Sequence, residues 1–136
     1  MVDIDFLKGV DRTVIKNDTE LLALLEKYDV VALGKVTGKA LESDVRIFLM
    51  GISDKLGKLY SEIDKIATEK DIYFCKHADL MVNGRLETFF EKATPKEKAY
   101  NTIGLNVFFA QSALKCSVID KSAVLFKELV LARKTQ

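Results

Sequence analysis

From Ser43 to about Lys70 the apolar residues Val45, Leu49, Ile52, Leu56, Leu59, Ile63 and Ile66 recur at alternating intervals of four and three. This is a heptad seam sustained over about three repeats, and an α-helix is the conformation that lines such positions up on one face. A seam of this kind serves either a coiled-coil dimer or one long helix of an intramolecular bundle. The bundle is favoured here, because several other apolar helical stretches of the chain need something to cover them. Gly51 and Gly57 lie inside the stretch, each at a cost of about 1 kcal/mol relative to alanine. They permit either close approach of another helix or a break near Gly57.

A second helix start is written at Thr94-Pro95-Lys96-Glu97, which combines an N-cap hydroxyl, a proline at the first helical position and a capping-box glutamate. The helix that follows has Tyr100, Ile103, Val107, Ala110 and Leu114 on its inner face. Leu105, Phe108 and Phe109 widen that face until the helix is apolar nearly all round, the pattern of a central buried element. Upstream, Val82, Leu86, Phe89, Phe90 and Ala93 predict a helix on the other side of the turn, capped by Asp79 or Asn83. The two helices would form a hairpin with Cys75 before the first and Cys116 at the end of the second, at about 1.5 Å of rise per residue in each arm. A Cys75–Cys116 disulfide is geometrically open, and the chain-entropy model assigns such a loop about 4 kcal/mol. Two unrelated buried thiols are the less favoured alternative, since spacing alone does not fix connectivity.

The remaining stretches are shorter. Phe6, Leu7, Val10, Val14 and Ile15 permit a short helix packed on the body. Asn17 to Glu20 is a capping-box-like start for a helix with Leu21, Leu22, Leu24, Leu25 and Tyr28, ending near Tyr28 or continuing through Ala32. Val30 to Leu33 has strand propensity but no partner strand, which favours helix or connector. Gly34-Lys35-Val36-Thr37-Gly38-Lys39-Ala40 invites comparison with a phosphate-binding loop, yet its spacing is wrong and no Ser or Thr follows Lys39. A glycine-containing helix end and connector is the expectation there. Ser117-Val118-Ile119-Asp120 is read as the cap of a last helix carrying Leu125, Phe126, Leu129 and Ala132. The whole is therefore expected to be all-α, a single helical domain of 136 residues built as a bundle of about five helices.

A formal net charge of +1 argues against a general electrostatic role on nucleic acid or anionic membranes. Lys55, Lys58 and Lys65 are interleaved with Asp54, Glu62 and Asp64 as on a solvated helix face. No apolar run reaches the length of a membrane span. Met1-Val2-Asp3-Ile4-Asp5 does not resemble a secretory signal, so the expectation is a cytoplasmic protein, or a periplasmic one in which Met1 replaces a removed leader.

Chemistry has few places to start. Cys75, His77 and Asp79 lie within five residues, but neighbours two apart on a helix point to different sides, and there is no second histidine to act as a base. Cys75, His77, Cys116 and Asp79 could meet around a metal only if both thiols stay reduced, and paired zinc-type spacings are absent. A di-iron bundle needs two Glu-x-x-His motifs, and the chain has one histidine. The expectation is a non-catalytic protein with no cofactor and no metal.

The run Val45-Arg46-Ile47-Phe48-Leu49-Met50-Gly51-Ile52-Ser53-Asp54-Lys55-Leu56, then Tyr73-Phe74-Cys75, Thr94-Pro95-Lys96-Glu97 and Ala113-Leu114-Lys115-Cys116, resembles the type VI secretion immunity proteins of the Rap/Tai type. In that family a glycine-x-x-Asp helix precedes one cysteine, and a second follows about forty residues later, past a helix start with proline and glutamate. The resemblance spans residues 45–116. It implies a small, disulfide-stapled, all-helical periplasmic protein that binds a peptidoglycan amidase toxin and blocks its active-site cleft. On that resemblance the partner-binding residues are Lys76, His77, Asp79, Leu80, Met81 and Asn83, beside a Cys75–Cys116 bridge, with Leu80 and Met81 as an apolar anchor or, alternatively, as ordinary core. The competing expectation is a cytoplasmic helical interaction protein, a homodimer through the Val45–Ile66 seam.

Overall fold

The computed structural model describes residues 4–74 and 91–119. Among them the chain forms five α-helices and no strand: α1 (Arg12–Lys16), α2 (Thr19–Lys27), α3 (Val30–Leu41), α4 (Arg46–Glu69) and α5 (Pro95–Ile119). The all-α bundle expected from the sequence is the observed architecture. No helix among the described residues is long and apolar enough to cross a membrane.

The two long helices, α4 and α5, are the spine. Gln111 Nε2 donates to the Ser53 carbonyl at 3.2 Å, and Asn101 Nδ2 donates to the Tyr73 carbonyl at 2.9 Å just beyond the far end of α4, so the helices run antiparallel. The seam supplies the interface: Leu49, Ile52, Leu56, Leu59 and Ile63 are buried, and from α5 so are Tyr100, Ile103, Val107, Ala110 and Leu114. A seam consumed in this way is not available for a coiled-coil dimer. Leu105 is buried on another side of α5, which also packs against α1 and α3, as expected of a central helix.

Each start has a local cause. At α5 the Glu97 N–H donates to Thr94 Oγ1 at 3.2 Å and the Thr94 N–H donates to Glu97 Oε1 at 3.0 Å, the reciprocal capping box. Helix α2 is capped by Asp18, whose Oδ1 accepts from the Leu21 N–H at 3.1 Å, rather than by Asn17. It stops at Lys27 because Asp29 takes a left-handed conformation (φ 44°) and caps α3 through the Ala32 N–H. Val30 to Leu33 is thus helical.

Three expectations are corrected. Gly34 to Ala40 lies in the interior of α3 and is not a connector. A Cβ on Gly34 would run into the Ile4 carbonyl, so this glycine exists to let the N-terminal segment cross the helix. Helix α4 begins at Arg46, with Val45 an exposed N-cap outside the seam and the Val45 N–H held by Ser43 Oγ at 3.0 Å. At Gly57 the alternative of close helix approach holds: α4 does not break, and Gln111 of α5 occupies the space a Cβ would need. Finally, α5 continues past Cys116 to Ile119, and the Ser117 hydroxyl donates within it to the Ala113 carbonyl at 2.9 Å, so Ser117 caps no new helix. The helices expected before Ala93 and after Asp120 lie almost wholly outside the described residues.

Before α1 the chain is extended and turned, with Phe6 fully buried and Ile4 and Val10 beside it. Asn106 on α5 pins it, donating to the carbonyls of Phe6 at 2.9 Å and Lys8 at 3.1 Å. These bonds satisfy backbone groups that no helix ladder would reach.

Candidate functional site

Of the residues singled out from the sequence, Lys76, His77, Asp79, Leu80, Met81, Asn83 and Cys75 lie outside the described residues. Cys116 is half-buried on the last turns of α5, with no disulfide partner among the described residues. The residues flanking 75–90 are held on both sides. On the incoming side, Asn101 holds the Tyr73 carbonyl, and the Phe74 ring packs on Tyr60 with centroids 5.3 Å apart. Asn101 is itself fully buried and also donates to the Glu97 carbonyl at 2.7 Å. On the outgoing side stands the capping box at Thr94. Both ends therefore sit toward the N-terminal end of α5. Cys116 is fifteen positions beyond Asn101 on the same helix, about 22 Å along its axis.

The same end of the bundle holds a buried polar cluster that sequence reasoning missed. The Asp18 carboxylate, 2% exposed, accepts from Lys70 Nζ at 2.7 Å, from the Tyr100 hydroxyl at 2.6 Å and from the Leu21 N–H. Burial alone would push the Asp18 carboxyl up, but the hydrogen bonds from Lys70, Tyr100 and Leu21 outweigh it and hold the group below its ordinary value. Burial and the facing carboxylate push the Tyr100 hydroxyl far up. The cluster ties the start of α2, the end of α4 and the first turns of α5 together, which fixes the rim from which residues 75–90 emerge. Its members are 52 and 82 positions apart, beyond any local motif.

Grooves open on the described surface. One, of about 720 Å³, is lined by Lys27, Tyr28, Glu62 and Gln111 among others. Lys27 Nζ pairs with Glu62 Oε1 at 3.0 Å. Glu62 Oε2 is buried without a hydrogen bond of good geometry, although the Tyr28 hydroxyl is near enough, with Lys27, to lower the Glu62 carboxyl. Burial, then the Glu62 charge, pushes Tyr28 up to about 12. Another groove, about 510 Å³ and mostly apolar, runs between α1, α2 and the start of α3 past Leu7, Ile15, Leu22 and Val31. Among the described residues no group of three or more His, Cys, Asp or Glu side chains converges as a metal site.

No family model, no curated protein and no solved structure matches this chain.

Proposed function

We propose that the protein is a non-catalytic immunity protein that binds a peptidoglycan amidase toxin and blocks its cleft. The observation that carries this is the anchoring of both ends of the 75–90 segment, by Asn101 and Tyr60 on one side and by the Thr94–Glu97 box on the other. A segment whose ends are already ordered enters a partner's cleft at lower entropic cost. On this reading Lys76, His77, Asp79 and Asn83 make polar contacts with the toxin, and Leu80 and Met81 supply the apolar anchor. The resemblance over residues 45–116 supplies the toxin class, and periplasmic export follows from it, with Cys75 and Cys116 paired in that oxidising compartment.

The test is protection of cells. Bacteria producing type VI amidase effectors in the periplasm, taken as a panel, are expected to survive when the chain is exported alongside one of them. They are expected to lyse when it carries Leu80→Asp and Met81→Asp. Lysis with every amidase of the panel, despite folded and exported protein, contradicts the proposal.

A further inference from the structure

We infer that the outward face of α4 is a docking surface for a second copy of this chain, packed antiparallel across a two-fold axis at Met50. The proposal is independent of the immunity reading.

The first observation is an unused glycine. Gly34 and Gly57 each make room for something in this chain, the Ile4 backbone and the Gln111 side chain, but a Cβ on Gly51 would meet nothing within 4 Å. Glycine in a helix interior costs stability relative to alanine, and at Gly51 no contact within the described chain returns it. A bare backbone on an outer helix face admits another helix at short range.

The second observation is what surrounds it. Ile47 is 83% exposed and Met50 51% exposed, and with Gly51 they form one apolar stripe on the side of α4 opposite the seam. Exposed aliphatic side chains are ordinary singly, whereas a stripe around a bare helical backbone is a contact surface.

The third observation selects the occupant. Arg46 and Asp54 are both exposed and lie four residues before and four after Met50. Neither makes an ion pair within the described residues. An isologous antiparallel pair centred on Met50 sets each residue against the one equally far on the other side of the centre, so Arg46 of each copy faces Asp54 of the other. Two symmetric ion pairs then flank a Met50–Met50 contact, with the Gly51 backbones beside it. The face is complementary to itself. A single helix stripe is at the small end of specific interfaces, so the dimer is a weak, concentration-dependent one.

Sedimentation velocity on the full chain over a range of concentrations tests this, with circular dichroism to show that each variant is folded. A reversible monomer–dimer equilibrium is expected. Asp54→Arg, which sets arginine against arginine, should weaken it about tenfold or more, and Arg46→Asp combined with Asp54→Arg should restore it. Gly51→Ala should raise the monomer's melting temperature while weakening the dimer, opposite signs that a merely structural glycine would not give. A chain that stays monomeric at every concentration, or a dimer indifferent to Asp54→Arg, overturns the proposal. So would a monomer whose Ile47–Met50 stripe is protected by another part of the chain.

Discussion

Asp18 shows how one side chain can hold three elements. It caps α2, pairs with Lys70 at the end of α4 and accepts from Tyr100 on α5. Tyr100→Phe removes one of these bonds and leaves a buried carboxylate short of a donor, so it should cost about 2 kcal/mol in urea unfolding. The pH dependence has two limbs. The lowered folded pKa of Asp18 means that its contribution is complete above the unfolded value of about 4 and is lost as pH falls through the folded value. Tyr28 and Tyr100 are raised, so above about pH 10 the unfolded chain sheds protons that the folded chain keeps. Stability should therefore also fall on the alkaline side. Unfolding free energies across pH would check both limbs, and Tyr100→Phe should flatten the alkaline one. A pH-independent stability above pH 10 would contradict this assignment. The pairing within the cluster was not legible in the sequence, although Tyr100 was placed on the inner face of its helix, because Lys70 and Tyr100 carry no local signal of their distant partner.

At the scale of elements, periodicity and capping chemistry were legible where they are local. The seam from Leu49 to Ile63 and the Thr94–Glu97 box appear as read. Glycine misled, since it marks connectors by propensity but also marks close approach, which depends on a segment far away in sequence. Gly34→Ala should gain helix propensity yet destabilise the protein by about 2 kcal/mol, because the new Cβ displaces the Ile4 backbone. Hydrogen exchange should then speed up at residues 4–10 more than in α4. Gly57→Ala meets only the end of the flexible Gln111 side chain and should change urea stability by less than about 1 kcal/mol. Equal losses from the two substitutions would contradict the distinction drawn between backbone and side-chain neighbours.

For the whole molecule, α4 and α5 form a rigid antiparallel spine, and the polar cluster and Asn101 lock the end from which residues 75–90 depart. The fold class was legible because helical periodicity and the lack of partner strands settle it. Of the candidate site the sequence offers only a stretch of residue types, all outside the described residues, because partner contacts have no period and no local cap. Its framework, Asn101 and Tyr60, emerged from three-dimensional packing alone. Asn101→Ala should therefore weaken partner binding through faster dissociation as well as reduce stability, since it frees the Tyr73 carbonyl and leaves residue 74 less firmly placed. Dissociation rates measured at a temperature where the variant is folded would check this.

The central claim is that this bundle holds a segment that blocks an amidase. Its most direct measurement is hydrolysis of purified peptidoglycan sacculi by each type VI amidase of the panel, titrated with the native chain and with the Leu80→Asp, Met81→Asp double variant. Stoichiometric inhibition of one of them by the native chain, lost in the folded double variant, is the predicted result. Undiminished hydrolysis by every amidase at excess native protein, or equal inhibition by both proteins, would contradict it.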